Sequence, residues 1–312
     1  ENPTSATGRL YQRYIRAGFA QARHFISVSE KSRADLHTFG GVLIRPLGDK
    51  PDAKMDAGDR AVFEQVEAWM TEHTGYATVS GFHEFLYEPE KPLHGDLSDY
   101  AYHQRGALAY VVELWDLFKQ LGIERKKPFV DHYFKFTRKD MRALAEFDRQ
   151  HNAGRIFGSW RKVTHPQLGE VEVNGFDPRV GIWNPPFERL GETCHAQSAA
   201  FLRVAALAPR ISVEVVKQER CEAHTRIDIR IANHGYLASH GLPSAKALPH
   251  SEPLRLTARA DGVTLLAPTE AVVEIGHLDG WGAGLYGGPS VFSPWTRGNA
   301  HERFVTLVAT GA

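Results

Sequence analysis

Residues Leu93–Asp116 read LHGDLSDYAYHQRGALAYVVELWD. A polar turn containing His94, Gly95 and Asp96 leads to Tyr100 and Tyr102, and then to a short apolar run, Ala109 to Val112, of strand composition. The run delivers one carboxylate, Glu113, at its end, with Trp115 and Asp116 behind it. If the strand is buried, Glu113 sits among apolar neighbours that disfavour its charged form, and its pKa rises toward that of a general base. A strand-terminal glutamate in a surface salt bridge has the same local sequence, so composition leaves both readings open.

The second stretch lies upstream, Ala34 to Pro46, ADLHTFGGVLIRP. His37 stands between a strand edge and a Gly-Gly turn, and a further apolar run, Val42 to Ile44, follows it. A lone histidine in such a place serves either as a hydrogen-bonded structural residue or as a metal ligand. It gains chemical interest if it converges with Glu113.

Taken together, the two stretches resemble the zinc carboxypeptidases of the carboxypeptidase A type. In that family a strand ends in Leu-His or Phe-His and the histidine is the third zinc ligand, a role the resemblance puts on His37. The family then has Gly-Ser/Asp-x-x-Asp-Trp/Tyr-x-Tyr and a strand ending in Glu-Leu, matched here by Gly95, Asp96, Asp99, Tyr100, Tyr102 and then Glu113-Leu114. The resemblance implies that Glu113 is the general base of a zinc-activated water, acting on a peptide or peptide-like substrate with a free C-terminus. It also implies a tyrosine that swings over the substrate carboxylate. Tyr87 is the nearest candidate, although counting back from Glu113 leads to Lys91. Arg45 lies near the ligand strand, without a spacing that assigns it to substrate.

The sequence departs from the family at the front. The first two zinc ligands of the family come from a His-x-x-Glu early in the domain, and none precedes His37: His24 has Ser27 at the required spacing, and His83 and Glu84 are adjacent. The expectation is therefore roughly the second half of a catalytic domain, with its front half missing from this chain or lost. A structural zinc or catalytic zinc needs several donors closing on one ion. On this sequence alone the chain is expected to bind zinc weakly, to leave terminal peptide bonds uncut, and to need a second polypeptide segment to complete its sheet. The competing reading is an inactive carboxypeptidase-like peptide-binding or structural protein.

With 312 residues the chain is long enough for two cores. The expected fold class is α/β: a mixed-sheet carboxypeptidase-like domain over residues 1–209, then an all-β sandwich over 210–312. Basic and acidic residues balance at 37 each, which gives no reason to expect nucleic acid or an anionic membrane as partner. No apolar stretch has the length of a membrane span. The 16 histidines allow a metal site without locating it, and Cys194 and Cys221 are too few for a disulfide framework. Cys194 is expected on a helix as a free, partly buried thiol. Cytoplasmic residence and secretion after processing both remain open.

In chain order, helices are expected over Leu10–Ala22, Arg60–His73 (closed by Gly75), Arg138–His151 behind a Thr137 cap, and Phe187–Leu207 stopped by Pro209. The last has its apolar residues at Leu190, Cys194, Ala199, Leu202, Val204 and Leu207. Phe25–Val28 reads as a short strand, Arg125–Lys127 as a solvated basic run, and Gly169–Gly175 as a hairpin strand. Beyond Pro209, short strands recur between Gly and Pro turns. In Thr225–Ala232, Ile227, Ile229 and Ile231 alternate with Arg226, Asp228 and Arg230, so the isoleucines should face inward and the charges outward. Gly276–Gly288, around Trp281, reads as a linker between strands or an exposed aromatic loop.

Overall fold

The computed structural model describes residues 40–85, 92–127, 131–259, 261–282 and 300–310. His37, Tyr87, Lys91 and the expected elements Leu10–Ala22 and Phe25–Val28 lie outside the described residues. From Thr38 onward the chain forms one compact unit, mixed α/β with several sheets. None of the sheets closes into a barrel among the described residues.

The first sheet has three strands in the order β2-β1-β3: β1 (Val42–Arg45), β2 (Ala77–Ser80) and β3 (Val111–Glu113). β1 runs parallel to β2, with Ile44 beside Val79, and antiparallel to β3, with Val42 opposite Glu113. Helix α1 (Ala57–Thr74) makes the crossover from β1 to β2. Asp56 caps it by accepting from the Gly58 and Asp59 amides, and Gly75 ends it in the left-handed conformation. Its buried face carries Val62, Phe63, Val66 and Met70 at helical spacing. Each such side chain, fully buried, contributes about 1.5–3 kcal/mol.

Successive strand residues point to opposite faces, so the sheet divides two cores. Val42, Ile44 and Val79 join Trp115, Leu117, Phe118, Leu144, Phe147, Ile156 and Ile182 on one side. Leu43 joins Phe63, Val66, Tyr102 and Leu207 on the other. Three further helices surround the first core: α3 (Leu117–Gln120), α4 (Asp131–Phe134) and α5 (Arg138–His151), which follow α2 (Leu97–Arg105) in the chain. Helix α5 starts at the expected Thr137, whose hydroxyl and the Asp140 carboxylate form a reciprocal capping box. Of its expected apolar face, Leu144, Phe147 and Asp148 are buried, whereas Met141 is 40% exposed. A hairpin of β4 (Arg161–His165) and β5 (Gly169–Val173) stands out in solvent.

Helix α6 (Phe187–Ala205) packs on α1. Its inward stripe is the expected one only in part: Val204, and Leu207 just past its end, join the second core as expected. Ala200 packs in that core with Val66 and Met70 of α1, while Leu190, Leu202 and Cys194 are exposed. Cys194 and Cys221 are both free and exposed, which corrects the expected partial burial of Cys194.

The C-terminal region is β-rich. One sheet has the order β6-β7-β11-β9, from β6 (Ile211–Arg220), β7 (Thr225–Asn233), β9 (Thr264–Ala267) and β11 (Glu302–Thr310). A two-stranded sheet pairs β8 (Leu254–Thr257) with β10 (Val272–Gly276). Ile229 and Ile231 are buried against Ile275 and Leu278, with Ile227, Leu256 and Val305 alongside. Arg226, Asp228 and Arg230 lie on the opposite face, where Arg226 pairs with Asp228 and Arg230 with Glu302. The alternation in the sequence thus sets the register as expected. The second core also crosses residue 209, because Tyr236, Leu242 and Ala245 pack with Leu43, Phe63 and Leu207. Asp59, at the start of α1, ties this junction by accepting from Tyr102 Oη (2.8 Å) and the Ser244 amide (3.0 Å).

Candidate active site around Glu113

Glu113 closes β3 on the sheet face shared with its partner Val42. It is 2% exposed, and neither carboxylate oxygen has a hydrogen-bond partner among the described residues. Burial alone pushes its pKa up to about 8. Most buried polar side chains in native structures are hydrogen-bonded, and a carboxylate with neither oxygen bonded to a described residue singles out this position as the candidate site.

The surroundings of Glu113 are tightly specified. The Trp115 indole donates to the Gly181 carbonyl at 3.1 Å, fixing the chain just after β3. Asp116 caps α3 by accepting from the Lys119 amide at 2.9 Å, and the Tyr76 hydroxyl donates to the Leu114 carbonyl. Because β1 and β3 are antiparallel with Val42 opposite Glu113, the entry to β1, at Gly40 and Gly41, lies at the end of β3 where Glu113 sits. That entry is held by Arg125, whose guanidinium donates to the Gly40 carbonyl (3.3 Å) and the Gly41 carbonyl (3.1 Å) and lies 3.8 Å from Asp116.

Gly41 is required at this turn for two reasons. Its φ is +56°, and an added Cβ would lie 2.2 Å from the Asp116 Cβ. Gly41→Ala is expected to destabilise the fold by about 1–3 kcal/mol, since it both strains φ and displaces the cap of α3. Denaturant unfolding checks this; a change within about 0.5 kcal/mol, the usual range for surface substitutions, would show that the turn adapts.

Of the three residues given a catalytic or metal-binding role, Glu113, His37 and Tyr87, Glu113 is the one whose environment is described. His37 and Tyr87 lie outside the described residues. The Gly95–Tyr102 segment is the start of α2. Asp96 is its cap, Asp99 accepts from the Gly48 amide at 3.0 Å, and Tyr102 donates to Asp59. Arg45 is engaged at Asp52 (2.6 Å) and Glu67 (3.1 Å), so its guanidinium is committed to the protein rather than to a substrate. Arg125, expected within a solvated basic run, is instead half-buried, and burial lowers its pKa from the ordinary arginine value. The only signal in the sequence was its place a short distance after Glu113 in a polar run.

Among the described residues no group of three or more His, Cys, Asp or Glu side chains could hold a metal ion. None of the described helices is long and apolar enough to cross a membrane. A family model described as a domain of unknown function (DUF8731) matches residues 210–312. No curated protein and no solved structure matches the chain.

Proposed function

We propose that the chain is a metallocarboxypeptidase, with Glu113 as the general base in the removal of C-terminal residues from peptides. The observation that supports this reading most is Glu113 itself, buried at the end of β3 and without a hydrogen-bond partner among the described residues. A base must reach the proton it abstracts and hold it at working pH. With its pKa raised to about 8 by burial, the carboxyl group holds a proton at neutral pH, so service as a base requires a cation beside it to draw it back to its charged form. The proton abstracted from the water would then pass to the leaving amine. In this reading His37 is a zinc donor and Tyr87 closes over the carboxylate of the substrate.

The described residues do not by themselves fit a zinc cage, because no donor cluster forms among them. Glu113 is a base in this reading and not a ligand. The metal, when bound, would supply the Lewis acidity that activates the water. His37 needs companions from outside the described residues or from a second polypeptide segment. That observation favours the competing reading, an inactive carboxypeptidase-like binding or structural protein, and the experiment below separates the two.

Peptides with a free C-terminus are incubated with zinc-supplemented protein and trimming is followed by mass spectrometry, beside elemental analysis of bound zinc. Where the companions of His37 are supplied, stepwise loss of terminal residues is expected, falling at least about a hundredfold in Glu113→Gln, with zinc retained there and lost in His37→Ala. No trimming and no bound zinc would sink the peptidase reading. Bound zinc with trimming unchanged in Glu113→Gln would remove Glu113 from its role.

A further inference from the structure

We propose that two copies of this chain associate through β6, edge to edge and antiparallel about a two-fold axis. This surface is separate from Glu113 and does not rest on the peptidase reading. β6 is ten residues long and lies at the edge of its sheet, with β7 on one side and no strand on the other among the described residues. Its free edge therefore presents a row of backbone donors and acceptors, the usual template for strand addition.

The side chains on β6 are arranged as an unfinished interior. Val213 and Val215 pair with Ile231 and Ile229, so they share the face on which those isoleucines are buried. Yet Val213 is 59% exposed and Val215 61%, with Val216 at 48%. The β8–β10 pair covers β7 and β11, as the third core shows, and leaves this margin bare.

The register follows from a bulge and from charge. Val216 is the extra residue of a bulge between Val215 and Lys217. With the axis between Val215 and Val216, the two bulges face each other and each copy's Val215 meets Val216 of the partner subunit. Four valines then close over the axis. Outward on the other face, Glu214 meets Lys217 of the partner subunit, twice by symmetry. A slip of one residue would set inward side chains against outward ones. A slip of two toward the C-terminus would set Glu214 against Glu219 of the partner subunit, and in either direction it would break the match of the bulges. Within one chain Glu214 lies 3.6 Å from Arg230 and Lys217 2.6 Å from Glu219, both exposed pairs that cost little to exchange.

Sedimentation velocity on the full chain across a dilution series tests this. A concentration-dependent dimer is expected. Lys217→Glu should weaken it at least about tenfold, because it turns two attractive contacts into two repulsive ones. The charge exchange Glu214→Lys with Lys217→Glu should restore it. Circular dichroism confirms that each variant is folded. Should Lys217→Glu fail to fold, hydrogen exchange on the unaltered chain decides: β6 amides are expected to be protected at high concentration and to exchange on dilution. A monomer at every concentration, a dimer indifferent to Lys217→Glu, a double variant that stays dissociated, or β6 protection independent of concentration would each overturn the proposal.

Discussion

Replacing Arg45 with methionine is expected to destabilise the fold by about 3–5 kcal/mol, the usual cost of removing one partner from a buried ion pair. The guanidinium sits between Asp52 and Glu67, with side-chain exposures of 13%, 9% and 5% for the three groups. Asp52 also accepts from the Ser80 hydroxyl, and this bond together with Arg45 outweighs its burial and holds it below the ordinary aspartate range. Glu67 has Arg45 alone. Burial pushes its pKa up to about 7 even with the arginine present, and without the arginine it rises further. The double variant Arg45→Met with Glu67→Gln should therefore recover much of the loss, since it removes the stranded charge along with its partner. Denaturant unfolding of the two single variants and the double measures the coupling. A single Arg45→Met variant within 1 kcal/mol of the parent by the scale of such measurements would mean that water already satisfies the two carboxylates.

Arg45 also illustrates what was legible in the chain and what was not. Features encoded within a few residues of themselves could be read. The cap at Thr137, the glycine that ends α1 and the alternation of isoleucine with charge along β7 are all local, and local rules place them. The burial of Glu113 was legible only in part: the Tyr-Val-Val before it fits an interior strand, but a strand-terminal glutamate in a surface salt bridge has the same local sequence. The partners of Arg45 and Arg125 are not local. Glu67 lies 22 positions from Arg45, and the carbonyls held by Arg125 lie 84 and 85 positions away. An arginine flanked by Glu124, Lys126 and Lys127 has nothing in its neighbourhood to distinguish it from a solvated one. The inward stripe of α6 was missed in part for a related reason. Its apolar residues surround much of the helix, and the side chain buried with Val66 and Met70 of α1 is the small Ala200 rather than Leu190 or Leu202.

The candidate site was legible only as a resemblance joined to one carboxylate. The Gly95–Tyr102 segment shows the difference between a pattern and its cause. Its aspartates cap α2 and hold the Gly48 amide, and Tyr102 ties α2 to Asp59, so each conserves a shape whether or not catalysis depends on it. Glu113 is different, because among the described residues no hydrogen bond uses its oxygens.

That idleness has a measurable price in stability, and its dependence on pH is the sharpest expectation the fold offers. Glu113 ionises with a pKa near 4.5 when unfolded and about 8 when folded. The raised value means that the folded chain keeps a proton which the unfolded chain has released. The stabilising contribution is fully present below pH 4.5, declines as pH rises beyond it, and is gone above about pH 8. At about 1.36 kcal/mol per pKa unit the whole swing is about 4–5 kcal/mol. Glu67 titrates in the same sense toward about 7, so the unaltered chain alone does not isolate the effect. The difference between the parent and Glu113→Gln does, because the amide stays neutral throughout. With a chelator present to remove any bound cation, the two proteins should match at about pH 4, and the variant should be the more stable by several kcal/mol above the folded pKa. In a chain of this size each kcal/mol moves the melting temperature by about 2–4 °C, so the separation should exceed the scatter of a thermal scan. A bound cation near Glu113 would stabilise its charged form and pull its folded pKa back down. The same pair of scans with zinc in place of the chelator should then shrink the separation if a metal binds beside this carboxylate. Parallel stability curves for parent and variant under chelation would mean that water already reaches Glu113, and with that the case for a carboxyl group held in a dry site would fall.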